Sequence, residues 1–188
     1  MGLMTAISEN NAKTIMGIDS STNSLAFAIF QDGQLVKYGK INFDGNSSYG
    51  RLADSQNKIL ALADDFNVDY IAIEKSIYVR SVDTSIKMGM AMGVIIACLS
   101  HGGTDVVEVA PMKWQSYIKN PNLTKSEKQE IQKASPGKSK TWYYNASREF
   151  RKQRTIDWVC NKFGIDITDN DVSDAIGVGW YAVNHHWK

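Results

Sequence analysis

The spacing of apolar residues changes several times along the chain, and each change marks an element. Thr14 to Ile18 is a short β-branched run. The turn formers SSTNS follow, then the apolar run Leu25 to Phe30, the turn pair Asp32-Gly33, and Gln34 to Phe43. This order predicts two connected antiparallel hairpins. Beyond the loop DGNSS, Leu52, Ile59, Ala63 and Phe66 recur at helical spacing, with Ser47 or Ser48 as the N-cap. Val68 to Glu74 (VDYIAIE) reads as a buried strand that returns from a crossover. Ser85 to Leu99 is apolar nearly all round, so as a helix it requires cover on most of its faces. Asp105 to Val109 is a further strand, closed by Pro111, which has no N–H for a ladder. Trp114 to Ile118, Leu123 to Lys133, Trp142 to Phe163 and Asp171 to Val183 are helical. Asn120-Pro121, Ser135-Pro136-Gly137 and Gly164 break them, and Thr168 or Asp169 caps the last.

Three linked strands, helix, strand, helix, strand and then helices make a mixed α/β arrangement around one sheet. At 188 residues with 43% hydrophobic content, the chain suits one core, so residues 14–188 are expected to form a single domain after a flexible leader, 1–13. The leader lacks the apolar region of a signal peptide, and no stretch reaches the roughly 20 apolar residues of a membrane span. Cys98 and Cys160 form no CxxC pair, and no His stands at ligand spacing, which argues against a disulfide framework and a structural zinc site. These features suggest a soluble, cytoplasmic protein with no membrane partner. Net charge is only +1, but it is unevenly spread. Between Lys113 and Arg154 there are 11 Lys or Arg against Glu127, Glu130 and Glu149, a balance of +8 that leaves −7 elsewhere. A basic segment beside an acidic body suits an enzyme whose carboxylates hold cations while its Lys and Arg meet phosphates. A solvated charged helix is the plainer alternative.

The acids give that reading its chemistry. Asp19 ends the strand TIMGID, and Glu74 ends VDYIAIE. Alone, the first reads as a turn residue and the second as one half of a salt bridge with Lys75 or Arg80. Asp171 and Asp174 lie three apart at the head of the last helix, on one face, although acids in a first turn also serve the helix dipole. Gathered in one small volume, such carboxylates repel one another. With one or two hard divalent ions they stay ionised as oxygen ligands, and a pair of such ions is a known clamp for water attacking a phosphodiester.

These segments together resemble the RuvC family of Holliday junction resolvases. GIDSS is similar to the family's first-strand GID motif, and IAIEKSIYVRSVDTSIKMGMAMGV to its strand-Glu-loop-helix segment. VVEVAP is similar to its next strand, and DVSDAIGVGWYA to its closing DxxDA helix. The resemblance implies an RNase H-like mixed five-stranded sheet flanked by helices. It matches Asp19, Glu74, Asp171 and Asp174 to the catalytic, metal-holding acids, with two Mg²⁺ or Mn²⁺ ions per site. It also implies a homodimer through the helix carrying Gly89 and Gly93, acting on branched DNA, above all four-way junctions, and leaving 5′-phosphate and 3′-hydroxyl ends. Ile77 stands where many relatives carry an aromatic wedge, with Tyr78 adjacent. Lys113, Lys125, Lys138, Lys140, Arg148, Arg151, Lys152 and Arg154 form the pool for phosphate contacts. Residues 119–150 are a longer, basic helical insertion relative to typical bacterial relatives.

Two other functions share some of these features. A sugar kinase or actin-like ATPase also starts with a strand ending in Asp and small hydroxyl residues, but the chain has no second glycine-rich phosphate turn. A module that binds junctions without cutting them has no need of four acids.

Overall fold

The computed structural model describes residues 13–75, 81–100 and 104–187. Strands β1 (Thr14–Ser20), β2 (Ser24–Gln31) and β3 (Gln34–Asn42) form the two expected hairpins. Asp32 and Gly33 both take positive φ, 48° and 78°, and this is the backbone that lets a two-residue turn follow the twist of its strands. Next come α1 (Ser48–Asp65), capped by Ser47, then β4 (Tyr70–Glu74), α2 (Val82–Leu99) and β5 (Asp105–Val109). The chain continues through α3 (Pro111–Tyr117), α4 (Lys125–Ala134), α5 (Lys140–Phe163) and α6 (Asn170–His185). Pro111 ends the strand and also starts α3, where its missing N–H costs nothing. The sheet order is β3-β2-β1-β4-β5, with β1, β4 and β5 parallel and the two hairpins antiparallel. This is the mixed five-stranded sheet that the sequence predicts.

Alternate residues of the strands feed two cores. Met16, Ile18, Leu25, Ile71 and Ile73 pack towards α1 and α2. Ile15, Ala26, Ala28, Phe30 and Ala72 pack towards α5, α6 and the indole of Trp114. The second face determines the position of the functional groups. α6 lies almost on the backbone of β1, so a Cβ built on Gly17 would stand 2.4 Å from the Ala175 carbonyl oxygen and 2.5 Å from the Gly179 nitrogen. Gly17→Ala is therefore expected to force helix and sheet apart at a cost of about 3 kcal/mol. Its melting temperature should fall by roughly 10 °C, and an unchanged melting curve would mean that α6 does not sit so close.

Two expectations for α2 need correction. The helix buries Ala91, Ile95, Cys98 and Leu99 on one face only, while Val82, Ile86 and Met90 are exposed on the other and a Cβ at Gly89 or Gly93 would meet nothing. Among the described residues, then, its apolar surface is not covered on most sides, because the helix packs on α1 and none of them forms a second layer above it. By length and composition alone α2 is also apolar enough to cross a bilayer, contrary to the expectation that no stretch qualifies, since only Asp83 and Lys87 interrupt it. Here it contributes one face to the core beside α1.

Candidate metal centre

Register brings the first two acids together. Ile18 pairs with Ile73 across the parallel β1-β4 ladder, so Asp19 and Glu74, one residue further on, stand level at the strands' C-terminal ends. Both point to the face under α6, because they lie two residues beyond Gly17 and Ala72 on that side. The close approach of α6 at Gly17 then sets Asp174, in its first turns, against the pair. Oxygens of Asp19, Glu74 and Asp174 all lie within 4.8 Å of one another.

Such a cluster is costly as it stands. Burial, followed by the charges of Glu74 and Asp171, pushes Asp19 up to about 8, against the weaker pull of Lys40 and the Ser20 N–H. Burial also pushes Glu74 up to about 7. Among the described residues Trp114 Nε1 has no partner at hydrogen-bond geometry, yet its N–H faces Glu74 and draws that carboxyl back down. Asp174 rises well above the ordinary carboxylate range through burial and then through Asp19, Glu74 and Asp171, while Lys152 opposes the shift. Among the described residues, no Lys or Arg forms an ion pair with any of the three. Three oxygen donors that are desolvated, mutually repelling and without a counter-ion fit a hard divalent cation.

Asp171 does not join this group. It lies one turn nearer the start of α6, and its Oδ2 takes the Lys40 ammonium at 2.5 Å. Asp169, one of the two expected caps, accepts from the backbone N–H groups of Asp171 and Val172 and also holds Lys40 at 3.1 Å. Burial alone would raise Asp169, but Lys40 and those two N–H groups outweigh it and leave the carboxyl below its usual range. Glu74 does not pair with Lys75, which reaches Glu108 at 3.7 Å instead.

The expected basic residues divide in three ways. Arg148, Arg151 and Lys152 line a cavity of about 140 Å³ with Gln115, Asn120 and Thr155, and Asp174 forms part of its wall. Lys140 opens α5, roughly 16 Å along the helix from Arg151, with Lys138 just before it, and Lys113 is exposed on α3. Arg154 is occupied within the protein, donating to Glu127 at 2.7 Å, Asn120 at 2.8 Å and the Pro121 carbonyl at 2.7 Å. Asn120 in turn donates to the Arg151 carbonyl and to Thr155. Together with the Arg151-Gln115 hydrogen bond, this network ties the segment between α3 and α4 to α5. Gly89 and Gly93 are on the open face of α2, while Ile77 and Tyr78 lie outside the described residues.

Sequence reasoning missed Lys40, Trp114 and the Asn120 clamp. Only the alternation of β3, which puts Tyr38, Lys40 and Asn42 on one face, hinted at the first.

Residues 15–134 match the family model for crossover junction endodeoxyribonuclease RuvC. The RuvC protein of Halothermothrix orenii is 25% identical over 183 residues, covering 92% of this chain and 96% of that one. The RuvC protein of Pseudoalteromonas atlantica is 28% identical over 122 residues, covering 62% and 70%. Among solved structures, T. thermophilus RuvC in complex with Holliday junction substrate superposes with a TM-score of 0.64 at 13% identity, covering 90% of this chain and 91% of that one. A second structure of Thermus thermophilus RuvC gives a TM-score of 0.61.

Proposed function

The chain belongs to the RuvC family of crossover junction endodeoxyribonucleases, and from that premise we propose that it nicks branched DNA, four-way junctions above all, as a divalent-metal-dependent homodimer. The observation that carries this reading is the meeting of Asp19, Glu74 and Asp174 within 4.8 Å, half-buried and, among the described residues, without an ion-pair partner. Mg²⁺ or Mn²⁺ is the cation that such a donor set suits. Asp19, Glu74 and Asp174 would hold it, and a second ion would depend on Asp171. Bound ions of this kind stabilise the charge on the attacking and leaving oxygens when water displaces a phosphodiester oxygen.

The chain's own residues do the rest. Trp114 is fully buried against Gly177, where a Cβ would meet its ring at 2.6 Å, and it fixes a donor beside Glu74. Arg148, Arg151 and Lys152 offer cations to the DNA backbone next to Asp174, so phosphate is drawn to the acids rather than past them. Lys113, Lys138 and Lys140 would extend that contact along the duplex arms, whereas Arg154 acts by holding α5 in place. The cytoplasm is the setting we propose, with recombination and repair as the use.

The exposed apolar stripe of α2, from Val82 through Ile86 and Met90 past Gly89 and Gly93, supports the two-fold contact, since glycine lets two helices approach closely. Gly93→Leu should therefore give a monomer in sedimentation at micromolar concentration while the wild type sediments as a dimer. A wild-type monomer would contradict this part of the account.

The function itself is tested by comparing a four-way junction with linear duplex of the same sequence, in Mg²⁺ and in EDTA. Cutting of the junction alone, and only in Mg²⁺, is expected. Equal cutting of both, or cutting in EDTA, would contradict the proposal.

A further inference from the structure

One residue beside the acids has no part in the reading above. Lys40 sits on β3, two strands from Asp19 on the same rung, since Lys40 pairs with Ala26 and Ala26 pairs with Asp19. Residues on one rung share a face of the sheet, so all three lie under the head of α6, with Glu74 beyond. Two strand spacings separate the backbones of Lys40 and Asp19 by roughly 10 Å. Ala26, 1% exposed, is the rung residue between them, and the Lys40 ammonium reaches the head of α6. Its side chain is 26% exposed, and the ammonium is shared by Asp171 at 2.5 Å and Asp169 at 3.1 Å.

We infer that Lys40 is a positioning residue for the metal centre: it holds Asp171 at the flank and lowers the affinity of the three-acid cluster for a divalent ion. The inference rests on the metal reading given above. An ion entering between Asp19, Glu74 and Asp174 meets a fixed positive charge nearby. Both Asp171 oxygens are engaged, Oδ2 by Lys40 and Oδ1 by Asn170 Nδ2 at 2.6 Å, so drawing Asp171 in as a fourth ligand weakens these contacts, and metal occupancy and the ion pair oppose each other. In the metal-free protein the same ammonium offsets part of the acids' repulsion. Lys40 therefore stabilises the empty centre at the expense of the loaded one. An ordinary surface ion pair would not do this, since it stabilises both states equally.

The test is a Mn²⁺ titration of the full chain, followed by the electron paramagnetic resonance of free Mn²⁺ and by calorimetry, with melting curves in EDTA. Wild type, Lys40→Met, Lys40→Arg and Lys40→Gln are compared. Removing one unit charge from the edge of the centre should tighten Mn²⁺ binding on the order of five- to twentyfold in Lys40→Met. Lys40→Gln, which can still donate to Asp171 and so favours folding, should tighten it too, while Lys40→Arg should bind as wild type does. The melting temperature in EDTA should fall for the two neutral variants, and added Mn²⁺ should raise it further than in wild type. Wild-type Mn²⁺ affinity in both neutral variants, with equal loss of stability in EDTA and in Mn²⁺, would reduce Lys40 to a structural ion pair and overturn the inference alone. Failure of the wild type itself to bind Mn²⁺ would overturn the metal reading as well.

Discussion

Asp19→Asn or Glu74→Gln is expected to slow cleavage of a four-way junction by at least about a thousandfold at saturating Mg²⁺, with junction affinity changed by less than about threefold. The asymmetry follows from where the charges lie. A metal-held transition state draws several kcal/mol from its ions, and each 1.4 kcal/mol lost is about tenfold in rate. Both acids end strands in the middle of the sheet and face their partners under α6, whereas the cations available to the DNA backbone belong to α5 and α3. Removing a carboxylate therefore takes away an ion's ligand without removing a phosphate contact. Single-turnover cleavage and gel-shift titrations of the same preparations separate the two effects. Near wild-type cutting by either variant would remove that residue from the metal centre, and a parallel loss of affinity would mean that the acids mainly shape the DNA surface.

The metal-free protein should be markedly less stable at pH 8 than at pH 5, and Mg²⁺ should cancel most of the difference. Asp19 moves from an ordinary carboxylate value of 3.8 to about 8 on folding, and Glu74 from 4.5 to about 7. Between the unfolded and folded values the native state keeps protons that the unfolded chain has released. Stability is then fully present below about pH 4 as far as these groups are concerned, and it is lost as pH rises through 7 and 8. In EDTA the melting temperature should drop across that window by on the order of 10 °C. With Mg²⁺ the carboxylates are held as anions, and binding to the folded state alone restores stability by mass action. Asp174→Asn tests the same physics from the other side. It should raise the melting temperature in EDTA at pH 8, because Asp174 is packed, half-buried, against Asp19 and Glu74 and is itself pushed well above the ordinary range. If its role were only to favour the helix dipole, the substitution would instead cost about 0.3 to 1 kcal/mol. A flat pH profile in EDTA, or a lower melting temperature for Asp174→Asn, would contradict the convergence of these acids.

How far the sequence shows this centre depends on whether a residue's partners are local. The two hairpins, the returning strand and the capped helices are written in short-range patterns: β-branched runs, Asp32-Gly33, and Ser47 or Asp169 before a helical period. Asp19 and Glu74 are legible because each ends an apolar run, and parallel strands align such ends. Asp174 is legible through its spacing from Asp171, but that same spacing suggests that the two act together. In the structure Lys40, 131 residues away, takes Asp171 through a cross-strand register that no local pattern encodes. Trp114 is hidden for a similar reason. Its neighbours predict a short helix but not that its N–H faces Glu74. Arg154 reads from composition as one more cation for DNA, and only the fold of the segment from Asn120 to Glu127 onto α5 gives its three nitrogens internal partners. The apolar count of α2 suggested cover on most of its faces, yet a count cannot show that the chain itself covers only the face of Ala91, Ile95, Cys98 and Leu99.

The central claim is that Asp19, Glu74 and Asp174 together hold a divalent ion. Crystals of the protein soaked in Mn²⁺ test it most directly, with anomalous scattering recorded near the manganese edge. The account predicts a peak bounded by oxygens of those three side chains, absent from Asp19→Asn crystals treated in the same way. No peak between them, or a peak that persists in Asp19→Asn, would contradict it.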